Sequence, residues 1–121
     1  MKRKVLTVDD SKTMRDMISF TLRGAGFEVT EAEDGKKALD ALVSATVDVI
    51  ITDINMPNMD GISLIRNLRA SQKHRATPIL ILTTESDAAK KNEGKAAGAT
   101  GWLIKPFSPE KLVDLVNRVC P

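Results

Sequence analysis

The stretch Val47-Asp48-Val49-Ile50-Ile51-Thr52-Asp53-Ile54-Asn55-Met56-Pro57-Asn58-Met59-Asp60-Gly61 decides how this chain is read. It opens as a short, nearly continuous apolar run, the pattern of a strand covered on both faces in a parallel sheet. The run stops at a carboxylate, Asp53, and passes into a loop carrying Pro57 and Gly61. An acid at the carboxyl end of a buried strand lies where open α/β sheets place their chemistry. Asp53 is therefore the first candidate for a reactive group, and the other strands must supply its partners.

Toward the N-terminus, Val5-Leu6-Thr7-Val8 predicts a first strand ending at Asp9-Asp10. Ser11 or Asp10 can cap a following helix in which Met14, Ile18 and Leu22 fall at helical spacing. Gly24 and Gly26 end it. Phe27-Glu28-Val29-Thr30-Glu31-Ala32 alternates, which suits a less buried edge strand. A second helix over 35–44 puts Ala38, Ala41 and Leu42 on one face. Beyond the central strand, Asp60 caps a helix carrying Ile62, Ile65, Leu68 and Arg69. Residues 70–77 are polar and read as a loop, with His74 on the surface. Pro78-Ile79-Leu80-Ile81-Leu82-Thr83 is a fourth strand, its proline tolerated at the first position. A helix over 86–97 has a thin apolar stripe and an internal Gly94, which costs roughly 1 kcal/mol against alanine; both features suit a mobile element. Gly98 ends it. Gly101-Trp102-Leu103-Ile104 is a short fifth strand leading to Lys105-Pro106-Phe107. Ser108 caps a last helix with Pro109 in its first turn and Leu112, Leu115, Val116 and Val119 facing inward. The alternation predicts a doubly wound α/β fold, a five-stranded parallel sheet with helices on both faces, in one domain over 1–121.

Bulk properties narrow the function. A chain of 121 residues can bury one core without staples. Its 18 basic and 16 acidic residues leave a formal net charge of +2, too weak a bias to point to nucleic acid or a membrane surface. The single cysteine, Cys120, can form no internal disulfide, which suits a reducing compartment. It reads as a small apolar helix residue rather than a reactive thiol. The apolar run at 5–8 is too short for a signal peptide, and no segment approaches the roughly 18 apolar residues of a membrane span. A cytoplasmic location is expected.

Polar residues collect at the carboxyl ends of four predicted strands: Asp9 and Asp10, Asp53, Thr83 and Lys105. In a parallel sheet these ends share one edge, so the residues converge. Three clustered carboxylates repel one another unless a cation neutralises them. A hard ion held by one or two carboxylates, a carbonyl, waters and a phosphate describes Mg²⁺, with Mn²⁺ as the alternative. An oxygen of Asp53 then remains to attack phosphorus, while the metal and the Lys105 ammonium neutralise the phosphoryl oxygens. Aspartyl phosphates are an established covalent form, and the Thr83 hydroxyl can hydrogen-bond to the new group. Singly these signals are weak: an acidic pair after a strand is often a helix cap, and a lysine before proline is usually at the surface. At four strand ends together they point to a site.

In Val8-Asp9-Asp10-Ser11, Asp53-Ile54-Asn55-Met56-Pro57-Asn58-Met59-Asp60-Gly61, Leu82-Thr83-Thr84-Glu85 and Lys105-Pro106-Phe107, the chain resembles the response-regulator receiver domains, and closely the single-domain chemotaxis regulators. The motifs span essentially the whole chain in the family's order and spacing. The resemblance implies a flavodoxin-like (βα)5 sandwich with strand order 2-1-3-4-5. It implies that Asp53 takes phosphate from a phosphohistidine on a sensor histidine kinase, that Asp9 and Asp10 share the metal with it, and that the Asn55 backbone carbonyl completes the protein ligands. Lys105 would contact the phosphoryl group, aimed inward by a cis Lys105–Pro106 bond, and Thr83 would move toward it. The positions of Asn55 and Glu85 flank the path of the hydrolytic water in the family. Both match the chemotaxis regulators, which implies a short-lived acyl phosphate.

The resemblance also implies how the signal leaves. A monomeric receiver with no output domain acts by docking, through a population shift in which Thr83 is drawn in and the aromatic on the fifth strand rotates inward. That aromatic is usually Tyr or Phe. Here it is Trp102, the main departure: a buried Trp needs a partner for its N–H and more room, so the inward rotamer is harder to reach. A partly exposed aromatic on an interaction face would need no motion. The expected partner face is the fourth helix, fifth strand and fifth helix, with Lys90, Lys91, Lys95, Trp102 and Lys111, although the lysines can equally form a solvated helix face. The expected partner is a flagellar motor switch protein or another downstream protein.

Other readings compete. A haloacid-dehalogenase-like phosphatase would carry a second Asp two residues after the nucleophile, where this chain has Asn55, and a cap domain to enclose substrate. A flavodoxin-type electron carrier would show a Ser, Thr and Gly-rich loop after the first strand, where this chain has Asp9-Asp10, hostile to an anion without metal. Within the family, no feature separates a phosphate sink or relay intermediate from a motor regulator. The expected role is a carrier that catalyses its own phosphorylation and dephosphorylation, not a turnover enzyme.

Overall fold

The computed structural model describes residues 2–84 and 88–120. Among them five strands alternate with five helices: β1 (Lys4–Val8), α1 (Lys12–Gly24), β2 (Glu28–Ala32), α2 (Gly35–Ser44), β3 (Val49–Thr52), α3 (Gly61–Ala70), β4 (Ile79–Thr83), α4 (Ala88–Ala97), β5 (Gly101–Ile104) and α5 (Pro109–Val119). All neighbouring strands are parallel and run in the order β2-β1-β3-β4-β5. This is the doubly wound fold that the alternation and the resemblance predict.

The strands' side-chain alternation divides the core in two. Ile50 of β3 and Ile81 of β4 pack with Ala38, Leu42, Ile62, Ile65 and Leu68 of α2 and α3 on one face. Val49 and Ile51 turn to the other face and meet Ile18, Leu22, Leu112 and Val116 of α1 and α5. Every residue of β3 is buried, so its apolar run carries no polar alternation. The edge strand β2 does alternate, as expected, and is capped by solvent on its outer face. Side-chain oxygens of Ser11, Asp34, Asp60 and Ser108 accept from amides in the first turns of α1, α2, α3 and α5, each cap being worth about 1 kcal/mol.

Three local expectations need correction or completion. His74 is not on the surface: it is only 4% exposed. The connection between α3 and β4 is a loop, as expected, and Arg69 reaches across it. Its Nη1 donates to the carbonyls of Thr77 at 2.6 Å, His74 at 2.9 Å and Arg75 at 3.3 Å, and its Nε to Gly98 O at 3.0 Å. With those carbonyls satisfied the imidazole can turn inward, its Nδ1 lying 3.4 Å from Thr77 Oγ1. Burial, aided by the Lys73 charge, lowers the imidazole pKa. Gly94 has a packing reason: a Cβ there would lie 2.7 Å from Ile81 Cδ1 and 3.3 Å from Trp102 Cζ3. The segment expected at the start of the fourth helix includes Ser86, which lies outside the described residues. Cys120 is a buried residue closing α5, and burial raises its thiol pKa.

Candidate functional site

The register of the sheet brings the strand ends together. Val8 pairs with Thr52, so Asp9 and Asp53 leave adjacent strands side by side, and Asp53 N donates to Val8 O at 3.0 Å. Thr83 closes β4 opposite Ile104, and Lys105 N donates to Thr83 O at 2.9 Å. Lys105 therefore emerges next to Thr83, and the Lys105–Pro106 peptide is cis. The ammonium, on a side chain 8% exposed, lies 2.6 Å from Asp9 Oδ2 and 3.2 Å from Asp53 Oδ2. One carboxylate oxygen from each of Asp9, Asp10 and Asp53 lies within 4.8 Å of the other two. Asp9 is buried, Asp53 half-buried and Asp10 exposed, so the cluster opens to solvent on one side.

Each inner acid is held by local backbone. Ser11 N donates to Asp9 Oδ1 at 2.9 Å and Ile54 N to Asp53 Oδ1 at 2.7 Å. These amides leave Oδ2 of both residues turned toward Lys105. Three carboxylates against one ammonium leave a formal charge of −2 in the cluster. Hard oxygen donors, an excess charge of that size and an open side fit a small divalent cation that keeps part of its water shell.

Supporting residues that sequence reasoning missed surround this cluster. Arg15 Nη1 donates to the Asp9 carbonyl at 2.6 Å, and its Nε pairs with Glu31 at 3.3 Å. Gly61 sits where α3 meets the end of β3; a Cβ there would be 2.1 Å from Asp53 O. Gly61 N donates to Ile54 O at 2.8 Å, closing the 53–60 loop. Asp34, the α2 cap, also accepts from Asn58 Nδ2 at 2.8 Å, and the Lys37 amide followed by this bond holds its carboxyl below the ordinary range. The Asp34-Gly35 pair before an apolar helix was a readable cap signal; the role of Arg15 had none.

The remaining expected site residues are placed unevenly. Asn55 is exposed in the loop two residues past Asp53. Glu85 lies outside the described residues. Trp102 is half-buried against the α3–β4 face of the core, with Nε1 shielded from solvent and without a hydrogen-bond partner. Lys91 and Lys95 join Trp102, Ala99, Thr100 and Gly101 around a pocket of about 270 Å³. Lys90 instead pairs with Glu93 at 3.8 Å. Lys111 is exposed in the first turn of α5 and does not line that pocket.

A parallel sheet in this order, with an acid cluster and a lysine gathered on its carboxyl-terminal edge, defines a receiver-type signalling domain. The chain belongs to the response-regulator receiver family: the family profile described as "Response regulator receiver domain" matches residues 5–117. It is similar to chemotaxis protein CheY1 of Helicobacter pylori, 42% identical over 118 residues that cover 96% of this chain and 95% of that one. Among solved structures it is similar to the chemotaxis response regulator CheY4 of Vibrio cholerae, with 51% identity, a TM-score of 0.93 and coverage of 98% and 99%. It is also similar to the receiver domain of a sensor histidine kinase from Pseudomonas aeruginosa PAO1, which has a magnesium ion in its active-site cleft (30% identity, TM-score 0.90, coverage 98% and 97%). Among the described residues, no helix is long and apolar enough to cross a membrane.

Proposed function

We propose that this receiver domain takes a phosphoryl group from a sensor-kinase phosphohistidine onto Asp53 in a Mg²⁺-dependent reaction, and signals by phosphorylation-dependent docking in chemotaxis. The observation that carries this is the cluster of Asp9, Asp10 and Asp53 with Lys105 bridging two of the three acids. Asp9, Asp10, Asp53 and the Asn55 carbonyl would hold the ion, as the magnesium in the Pseudomonas relative suggests. When bound it supplies charge neutralisation for the phosphoryl oxygens.

The chain's own residues do the rest. A carboxylate oxygen of Asp53 forms the bond to phosphorus as the phosphorus–nitrogen bond breaks, and the departing imidazole keeps the bonding pair and takes up a proton. Lys105 transfers one hydrogen bond from the Asp53 carboxylate to a phosphoryl oxygen while keeping its contact with Asp9. Thr83, one strand away, turns its hydroxyl to the new group. Asn55, exposed beside Asp53, borders the approach of water, and the acyl phosphate is short-lived, as the family's residues at positions 55 and 85 imply. Trp102, on the strand next to Thr83, reports the change to a face that includes Lys91 and Lys95, where a motor switch protein or another downstream partner docks. The chemotaxis relatives, matched over nearly their whole length, favour motor control. Mixing the chain with an autophosphorylated chemotaxis-type histidine kinase and Mg²⁺ tests this. The kinase should lose its phosphate to the chain, and a kinase that retains it would overturn the reading.

A further inference from the structure

Ser11 and Ser108 cap α1 and α5 with a single hydroxyl oxygen each. Capping alone therefore does not account for the second carboxylate oxygen buried at Asp34, a residue only 2% exposed. Oδ1 of Asp34 accepts from Lys37 N at 2.8 Å and so is fixed to the first turn of α2. Oδ2 is spent on Asn58 Nδ2, 24 residues further along, at 2.8 Å.

Asn58 is itself unusual. Its φ is 66°, in the left-handed region that disfavours residues other than glycine. Asparagine tolerates that region better than most residues, and a charge-assisted bond to a buried carboxylate offsets the cost. A second tie lies beside the first. Gly35 N donates to Met59 O at 3.2 Å, and a Cβ at Gly35 would stand 2.8 Å from the same oxygen, so the two loops meet backbone to backbone. The 53–60 loop is thus closed at its base by Gly61 N and Ile54 O, and fastened at its far side to the cap of α2.

We propose that Asp34 is a positioning residue: through Asn58 it fixes the loop that carries Asp53 and Asn55, and so sets the affinity of the acidic cleft for its divalent cation. The proposal rests on the reading of that cleft given above. Asn55 stands three residues before Asn58 and two after Asp53, so slack at Asn58 is felt as a displaced Asn55 carbonyl. Partners that orient metal ligands from behind are worth roughly 10–100-fold in affinity, and one hydrogen bond at this remove belongs at the low end.

Two substitutions separate positioning from folding. Asp34→Ser keeps a capping oxygen for Lys37 but cannot reach Asn58. Asn58→Gly keeps the left-handed backbone and removes the amide. MgCl2 titrations of the ¹⁵N-labelled full chain, followed at the Asp10 and Asp53 amides, should give dissociation constants about tenfold weaker for each variant. The double variant should be no weaker than either single one. Amide exchange at Met59, measured in EDTA with no metal present, should be faster in both, while thermal unfolding stays cooperative. Wild-type binding with unchanged affinity in both variants overturns the proposal alone. A wild-type chain that takes up no Mg²⁺ at Asp10 and Asp53 overturns the proposal and the reading of the cleft together.

Discussion

Substituting Gly61 by alanine tests whether the candidate site is held by backbone contact. An added Cβ would lie 2.1 Å from Asp53 O and 3.0 Å from both Asp53 C and Ile54 Cα. Opening the first contact to an ordinary separation of 3.4 Å needs a shift of about 1.3 Å between the start of α3 and the end of β3. The obstacle is main chain, so no rotamer change relieves it. Overpacking of this kind costs about 1–3 kcal/mol, and loss of the Gly61 N to Ile54 O bond adds roughly 0.5–1.5 kcal/mol. Against this stands the helix preference for alanine, up to about 1 kcal/mol, part of which acts through the unfolded chain. The clash wins, with net destabilisation of about 1–3 kcal/mol and a fall in melting temperature of roughly 5–10 °C. Gly24 is the control. It ends α1, and a Cβ there would meet nothing within 4 Å, so Gly24→Ala should leave stability unchanged or raise it. Thermal melts followed by circular dichroism compare the three proteins under one condition. A misplacement of this order at Asp53 should also slow phosphorylation by acetyl phosphate by about a hundredfold. A Gly61→Ala protein that melts at or above the wild type, or moves in the same direction as Gly24→Ala, would refute the contact argument.

Three further substitutions probe other parts of the structure. Gly94→Ala places a Cβ 2.7 Å from Ile81 Cδ1 and 3.3 Å from Trp102 Cζ3; the indole should be pushed outward and its fluorescence shifted to the red, and an unchanged spectrum would show that the ring is not seated on Gly94. The buried His74 imidazole has a lowered pKa in the folded chain, so the unfolded chain binds a proton that the folded one resists. Stability is complete above the unfolded value of about 6.5 and is lost as pH falls below it. In urea melts at about pH 7.5 and 5.5 the wild type should lose more stability than His74→Gln, and equal losses would contradict the assignment. Lys105→Met removes the cation paired with Asp9 and Asp53. In EDTA it should cost roughly 3 kcal/mol, the low end for breaking a buried pair, and Mg²⁺ should raise its melting temperature more than that of the wild type; a smaller rise would count against the charge balance proposed for the cleft.

What was legible in the chain follows the range of the interactions involved. β3 could be read from its own apolar run because burial on both faces leaves no polar positions, and β2 from its alternation because one face is solvated. Asp9, Asp53, Thr83 and Lys105 were legible as a group because parallel strands put their ends on one edge, whatever the details of packing. His74 was misread because the polarity of 70–77 says nothing of Arg69, whose guanidinium satisfies carbonyls at 74, 75, 77 and 98 only after α3 and α4 have come together. In the sequence Gly94 suggests only mobility, because the side chains that approach it come from α3, β4 and β5. The second oxygen of Asp34 has its partner in another loop, and no local pattern announces such a bond. The lysines expected to act together are split between an ion pair on Lys90, a pocket rim at Lys91 and Lys95, and a separate helix at Lys111.

Everything proposed for the cleft depends on Asp53 carrying the phosphoryl group. The most direct test is to react the chain with acetyl phosphate and Mg²⁺, reduce the acyl phosphate with borohydride, and locate the modified residue by peptide mass. The modification should fall on Asp53, and be absent from Asp53→Asn and from wild type treated in EDTA. Phosphorylation that persists in Asp53→Asn, or that proceeds without a divalent ion, would contradict it.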